Sequence, residues 1–362
     1  MAFNIRRYLG IDGTKGVINY DCQEENPIPD ELLNRLDVDI NELIGYIVGR
    51  KLKKDDDRPE RPPPTTPQDF KDVCNDFIKD NNLGGFYPPG DQRVEDLSNN
   101  AANNLADPAY PIKDPEKMAS IVRICLYDVC LYCDDSYSMT QENRIAAQAT
   151  FVRRFGRVIL PMKEGSISMR FINANGNGTW DKMTNMDAME AAVKGVPYTG
   201  YTPIGAMLKS KILEPMLYAK LRAPAKNPAK GIMTGLEKPL FVLVITDGWP
   251  YLEANDHFRN VIVESVNEVE KYLGKDARNT AIRYQVNQIG HEERATAFIT
   301  GLFNDAALKP NVHCTSEKLD DKIQELKDNE ANLDNWLVDN ISTILKEKKP
   351  KKTKKPKTPA AP

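Results

Sequence analysis

Oxygen-bearing side chains alternate along the DDSYS segment that begins at Asp134, at the end of an apolar run. In an extended stretch alternate side chains point the same way, so Asp134, Ser136 and Ser138 would face one point. Two further donors come from distant segments: Thr202 from a glycine-rich turn, and Asp247 from a Thr-Asp-Gly sequence after a second apolar run. Hydroxyls and carboxylates without histidine or thiolate suit a hard cation, Mg²⁺ or Mn²⁺.

The elements around these donors alternate between strands and helices. The apolar runs Ile121–Cys133 and Leu240–Thr246 indicate strands that are buried on both faces. Strands separated by helices imply right-handed crossovers and an α/β fold with a Rossmann-like, doubly wound, mostly parallel sheet. In such a sheet ligands bind at the carboxyl ends of strands, where the strand order switches. Further strands are predicted at 166–173, 282–289 and 312–314, and helices at 145–155, 186–193, 204–221 (with Pro215 as a kink), 258–273, 294–303 and 336–345.

The order of the donors is specific. Asp-x-Ser-x-Ser, then a loop threonine, then the aspartate of Thr-Asp-Gly resembles the metal-ion-dependent adhesion site (MIDAS) of von Willebrand factor A (vWA) domains. The resemblance extends from Ala119 to about Lys346. It is closest to intracellular vWA proteins of fungi and other lower eukaryotes, which carry blocks similar to TPIG at 202–205, KILEP at 211–215, VITDG at 244–248, QIG at 288–290, CTS at 314–316 and WLV at 336–338.

The resemblance implies a role for each donor. Ser136, Ser138 and Thr202 would bind the ion directly, Asp134 and Asp247 would hold it through waters, and the sixth position would stay open for an acidic side chain of a partner protein. Three neutral hydroxyls leave the charge of the ion largely uncompensated, so it attracts an incoming carboxylate, while the outer aspartates orient the ligands. The alternative is that the aspartate and serines only cap the following helix.

Two departures from the family pattern affect the surroundings of the site. The residues after Ser138, MTQE at 139–142, lack the paired aspartates of the integrin-type adjacent calcium site, so we expect no second metal there. Tyr201 replaces the glycine that often precedes the loop threonine. With Tyr137 and Trp249 it would form an aromatic rim, as in an interface core, unless the three side chains pack locally on their own loops.

Other functions are less well supported by the motifs. A phosphoaspartyl phosphatase would need an aspartate where Ser136 stands, and a nucleotide-binding P-loop would need lysine at Tyr201. The histidines, His257, His291 and His313, lie in separate segments, and no general base is evident. We therefore expect a binding module rather than an enzyme. A metal-dependent, phosphatase-like or other hydrolytic enzyme at the same site and a metal-free scaffold are the alternatives.

Changes in composition along the 362 residues predict how the chain is divided into regions. We expect an N-terminal region of unknown function, partly helical, at 1–54, a charged, proline-rich linker at 55–68, a short helix and loops at 69–117, the vWA domain at 118–346, and a basic, disordered tail at 347–362. The chain has no apolar run that would span a membrane and no signal-peptide core. These features predict a cytoplasmic protein. The lysines of 348–357 raise a nuclear signal or weak nucleic-acid contact as the alternative.

The cysteines fit the same compartment. There are six, and they do not form a zinc-binding spacing. Cys130 and Cys133 have the Cys-x-x-Cys form but lie inside an apolar run. We expect them to be buried and reduced.

Overall fold

The computed structural model describes residues 62–162, 167–225, 234–315 and 317–345. These residues belong to one compact unit. The helix expected within 1–54, the first part of the 55–68 linker and the basic tail at 347–362 lie outside the described residues.

A single five-stranded sheet, in the order β2-β1-β3-β4-β5, forms the centre of this unit, and every pair of neighbouring strands is parallel. The chain goes from β1 to one side for β2 and then returns across β1 for β3, so the strand order switches between β1 and β3. This confirms the α/β fold with a parallel sheet, and the strand order is consistent with the expected doubly wound arrangement. The strands are β1 Asp128–Cys133, β2 Ser168–Phe171, β3 Leu240–Thr246, β4 Ile282–Gln288 and β5 Val312–Cys314.

Helices cover both faces of the sheet, since every residue of β3 and β4 is buried. Ten helices lie in the described part of the chain. They are α1 Pro67–Asp80, α2 Gln92–Ala106, α3 Pro115–Cys125, α4 Arg144–Ile159, α5 Met186–Gly195, α6 (the consecutive segments Ile204–Leu208, Lys209–Tyr218 and Ala219–Arg222), α7 His257–Leu273, α8 Glu293–Asn304, α9 Leu319–Glu325 and α10 Glu330–Ser342.

The run expected to form one long strand, Ile121–Cys133, is divided between two elements. Its first part belongs to α3, which begins at Pro115 behind Asp114, whose side chain accepts from the backbone N–H groups of Glu116 and Lys117. Only the last part forms β1. The prediction was wrong because a continuous apolar run has no periodicity that separates a buried helix from a buried strand. The Asp-Pro pair is the start signal that decides between them.

The N-terminal part of the described chain is more helical than expected. Thr66 caps α1: its hydroxyl accepts from Asp69 N, and the Asp69 carboxylate accepts from Thr66 N at 2.9 Å. Pro67 and Gln68, assigned to the 55–68 linker, are therefore helical. Within 69–117 the structure has the expected short helix and also α2, which follows Asp91. Residue 118, expected to start the α/β domain, falls inside α3.

The other predicted elements are confirmed with shifts of up to four residues at their ends, except that α10 begins at Glu330, six residues before the expected start. Helix α9, Leu319–Glu325, was not predicted. The kink expected at Pro215 is a π-helical segment, Lys209–Tyr218, within α6. Proline lacks the N–H that an α-turn needs, and the wider turn accommodates the ring. Cys130 and Cys133 are buried free thiols, as expected.

Candidate metal centre

Asp134 lies at the carboxyl end of β1, at the point where the strand order switches. Its side chain is fully buried. Its Oδ1 accepts from Ser136 N at 2.9 Å, and its Oδ2 accepts from the Thr246 hydroxyl at 2.6 Å. The carboxylate is therefore fixed between the ends of β1 and β3, where ligands bind in doubly wound sheets.

A chain of hydrogen bonds joins the serines to the end of β3. The Ser136 and Ser138 hydroxyl oxygens are 3.0 Å apart, and the Ser138 hydroxyl donates to Asp247 Oδ1 at 2.9 Å. A 3₁₀ turn at Tyr137–Thr140 follows Ser136 and folds the chain back. The structure thus brings Asp134, Ser136, Ser138 and Asp247 together, although the last lies more than 100 residues along the chain.

Thr202 reaches the same place from the glycine-rich turn. The side of Gly248 that would carry a Cβ faces three atoms: that Cβ would lie 3.4 Å from Thr202 Cγ2, 3.4 Å from Thr246 Oγ1 and 3.6 Å from Asp134 Oδ2. Thr202 is 5% exposed, and its hydroxyl has no hydrogen-bond partner among the described residues. The threonine side chain is thus mostly buried, while its hydroxyl is left free of hydrogen bonds within this part of the chain.

Backbone contacts hold the turn in register with the DDSYS segment. Tyr137 N donates to Gly200 O at 3.2 Å, and Tyr251 N donates to Thr202 O at 3.0 Å. Gly200 has φ +86°, a left-handed conformation, and a Cβ there would come within 2.9 Å of Asn173 Oδ1. A glycine is required at this position by both its backbone angle and its neighbour.

The electrostatics of the cluster are dominated by two buried carboxyl groups. Burial, followed by the nearby charge of Asp247, raises the pKa of Asp134 from 3.8 to about 7, against the hydrogen bonds of Thr246 and Ser136. Burial also raises the pKa of Asp247, while Arg144, whose guanidinium donates to Asp247 Oδ2 at 2.6 Å, opposes the rise. One guanidinium faces two carboxylates, so a bound cation would relieve the remaining negative charge.

Asp135, which lies between Asp134 and Ser136 in the sequence, has a structural role. It is buried, and its carboxylate accepts from Asn173 N at 2.7 Å and Ala174 N at 2.6 Å, anchoring the loop after β2. The Lys211 ammonium in α6 donates to four successive carbonyls of the same segment, residues 171–174, at 2.8–3.0 Å. Burial lowers the pKa of Lys211, and the charge of Asp135 opposes that change. These contacts hold the loop after β2 against the segment that carries the donors.

The separation of the two serine hydroxyls is compatible with a hard divalent cation as well as with the hydrogen bond between them. In an octahedral site with bonds of about 2.1 Å, adjacent ligand atoms are about 3.0 Å apart. The Ser136 and Ser138 hydroxyls have this separation, 3.0 Å. The donor set contains only oxygen, which favours Mg²⁺ or Mn²⁺ over softer metals.

The exposed aromatic side chains near the donors are not all the ones that the sequence predicts. Tyr137 and Tyr201 are exposed, at 67% and 56%. The ring of Tyr201 stacks on Tyr251 with centroids 5.0 Å apart, and Leu252, the residue after Tyr251, is 70% exposed. Trp249 is half-buried, and its ring meets Phe298 edge-on at 6.1 Å. Trp249 therefore packs against helix α8 rather than on its own loop, and Tyr251 is the aromatic residue beside Tyr201.

Three further residues of the centre escaped the sequence analysis. Thr246 belongs to the Thr-Asp-Gly motif, but the motif does not predict that its hydroxyl donates to Asp134 Oδ2. Arg144 pairs with Asp247 across 103 positions, and a lone arginine at a helix start carries no signal of such a partner. Glu253 accepts from the first N–H groups of α6, Gly205 N at 2.8 Å and Ala206 N at 3.0 Å, and so fixes the helix that follows Thr202.

No protein-family model matches the chain, and no curated protein matches it. In the part of the chain that the structure describes, no helix combines the length and the apolar character needed to cross a membrane.

Proposed function

We propose that the chain is a vWA-type interaction module that binds Mg²⁺ or Mn²⁺ through Asp134, Ser136, Ser138, Thr202 and Asp247. The observation that supports it best is the closeness of four oxygen donors, those of Asp134, Ser136, Ser138 and Asp247, from the ends of two strands at the switch point of the sheet, with Thr202 of a third loop beside them. A single loop that only capped its own helix would not need the distant Asp247 and Thr202 beside it.

In this proposal the hydroxyls are the direct ligands. Ser136, Ser138 and Thr202 offer neutral oxygens, and the two aspartates act through bound waters. The Thr246 hydroxyl donates to Asp134 Oδ2, and the Arg144 guanidinium donates to Asp247 Oδ2; these contacts support outer positions for the two carboxylates. An ion with neutral direct ligands keeps most of its charge, and the sixth position attracts a carboxylate of a partner protein.

The exposed aromatic groups suggest what surrounds that carboxylate. Tyr201 and Tyr251 stack on each other, and Tyr137 and Leu252 are exposed. In the proposal these four side chains border the ion. Aromatic side chains around a polar contact are typical of the centre of protein interfaces. The partner segment would therefore carry an acidic residue next to apolar ones.

The hydrolytic alternative has a specific weakness. A phosphatase that used Asp134 as its nucleophile would need a carboxylic acid two residues later, and Ser136 stands there. The carboxylate of Asp135 is already bonded to two backbone N–H groups. Hydrolysis of p-nitrophenyl phosphate tests this alternative. Activity that requires Mg²⁺ and is lost in Asp134→Asn would favour the enzyme over the binding module.

Isothermal titration with Mg²⁺ tests the ion site. The protein should bind one equivalent, and Ser138→Ala should weaken binding at least tenfold, because it removes one direct ligand. Ser210→Ala, an exposed serine of α6, is the matched control and should bind as the wild type does. Equal binding isotherms for Ser138→Ala and the control would contradict the site; no binding by the wild type would favour the metal-free scaffold.

The partner is tested by affinity capture in Mg²⁺ and in EDTA, identified by mass spectrometry. The proposal expects a protein that is retained in Mg²⁺, released by EDTA and absent with Thr202→Ala. Replacement of one acidic residue of that protein should then abolish its retention. A partner that stays bound in EDTA and to the Thr202 variant would contradict the proposed mode of binding.

A further inference from the structure

A second group of metal-ligating side chains lies outside the donor cluster described above. One ring nitrogen of His291 and one carboxylate oxygen each of Glu142 and Asp320 lie within 4.8 Å of one another. The three residues come from three separate segments: the loop after the 3₁₀ turn that follows β1, the loop after β4, and the first turn of α9. The fold, rather than neighbouring positions in the sequence, assembles this group.

Contacts with the surrounding chain hold two of the three ligands. Asp320 Oδ1 accepts from Gly290 N at 3.0 Å, which fixes the carboxylate beside the β4 loop. His291 Nε2 lies 2.9 Å from Asp321 Oδ2. A carboxylate beside a ring nitrogen fixes the tautomer and the orientation of the imidazole, as is usual for histidines at metal sites.

The charge balance at the group favours a cation. Three carboxylates, those of Glu142, Asp320 and Asp321, face two basic side chains. Arg144 Nε lies 3.6 Å from Glu142, but its guanidinium also donates to Asp247 at 2.6 Å. Lys318 is near both aspartates, and its ammonium donates to Thr296 Oγ1 at 2.8 Å. The carboxylates outnumber the cations, and both cations have other partners.

We infer that Glu142, His291 and Asp320 form a binding site for a transition-metal ion of the Zn²⁺ class. Imidazole with carboxylates suits Zn²⁺ or Co²⁺, whereas Mg²⁺ and Ca²⁺ prefer oxygen alone. In a tetrahedral zinc site with bonds of about 2.1 Å, ligand atoms are about 3.4 Å apart. The exposed side chains of Glu142 and His291 can close that difference by rotation, with water as the fourth ligand.

This site is distinct from the MIDAS-like one. It uses none of the five oxygen donors, and it includes a nitrogen ligand that they lack. Residues 139–142 lack the paired aspartates of an adjacent calcium site, and this group is of a different kind, since only Glu142 of that stretch contributes. The inference therefore stands or falls independently of the proposed function.

Titration with Zn²⁺ of the full chain carrying Asp134→Asn tests the site, because this background weakens the proposed Mg²⁺ centre. We expect one equivalent of Zn²⁺, with affinity lowered at least tenfold by His291→Ala and by Glu142→Gln. Both positions are exposed, so folding should be unaffected. His257→Ala, a histidine at the start of α7, is the matched control and should bind as the background protein does.

X-ray absorption of the zinc-loaded protein adds a readout of the ligands. The inference expects one imidazole nitrogen and otherwise oxygen around the ion. Zn²⁺ affinity that is unchanged by His291→Ala and Glu142→Gln would overturn it, as would a spectrum dominated by sulphur or the absence of Zn²⁺ binding. If the wild-type protein does not bind Mg²⁺, the proposed function is refuted, but the Zn²⁺ result is not affected.

Discussion

Replacing Asp134 by asparagine should separate the cost of the buried carboxylate from the benefit of the ion. The pKa of Asp134 rises from 3.8 to about 7 on folding, mainly through burial. The folded protein therefore holds this proton over a pH range in which the unfolded chain has released it. Stability must fall as the pH rises from about 4 to about 7, and it stays lowered above that range.

The magnitude follows from the size of the shift. A rise of about three pKa units corresponds to roughly 4 kcal/mol at about 1.4 kcal/mol per unit. Asp134→Asn removes the charge and keeps most contacts, because the side-chain oxygen can still accept from Ser136 N and the Thr246 hydroxyl can accept from the new amide. In EDTA at pH 8 the variant should be more stable than the wild type by up to about 4 kcal/mol.

The ion should reverse this order in part. Mg²⁺ at about 100 times its dissociation constant adds about 2.7 kcal/mol to the wild type. It adds only about 0.4 to 1.4 kcal/mol to Asp134→Asn, because the loss of an outer ligand weakens metal binding roughly 10- to 100-fold. Urea denaturation of both proteins at pH 5, 6.5 and 8, in EDTA and in Mg²⁺, measures all the terms. The reasoning is refuted if both proteins show the same pH dependence in EDTA and the same lack of response to Mg²⁺.

Three further variants test other parts of the centre. Thr202→Ala should lose Mg²⁺ affinity about tenfold at unchanged stability, and Thr202→Ser should restore it, as measured by titration; a large loss of stability instead would make the residue structural. Arg144→Gln leaves Asp247 without its guanidinium, so it should cost about 3 kcal/mol in EDTA and show a larger Mg²⁺-induced rise in Tm than the wild type. Gly205→Ala should lose about 2 kcal/mol in urea denaturation, because its Cβ would lie 2.8 Å from Phe258 N, whereas Gly195→Ala meets open space and serves as control.

The sequence was informative where one pattern had one physical meaning. The run Leu240–Thr246 is too short for a buried helix and rich in β-branched residues, and it forms β3 within the predicted bounds. The spacing of Asp134, Ser136 and Ser138 predicts a shared direction, and the order of strands and helices places Asp247 at the same edge of the sheet. Their closeness in the structure agrees with both expectations, while their role as ligands stays a prediction.

The sequence was uninformative where a tertiary contact decides. Helix α2, Gln92–Ala106, is rich in asparagine, and it forms because Val94, Leu97 and Ala101 bury one face in the common core. The partner of Arg144 is set by the crossover connections rather than by local spacing. The position of Tyr251 depends on the turn at Leu252, whose φ of +65° is rare for leucine and could not be predicted from the residue type.

The most direct test of the central claim is the anomalous difference density of Mn²⁺ in crystals grown with the ion. We predict a peak about 2.1 Å from the hydroxyl oxygens of Ser136, Ser138 and Thr202, with Asp134 and Asp247 one water farther out. In crystals of Ser138→Ala the peak at that position should be weaker or absent. The account would be contradicted if crystals in saturating Mn²⁺ showed no anomalous peak between the two serines. The Ser138 hydroxyl would then still donate to Asp247.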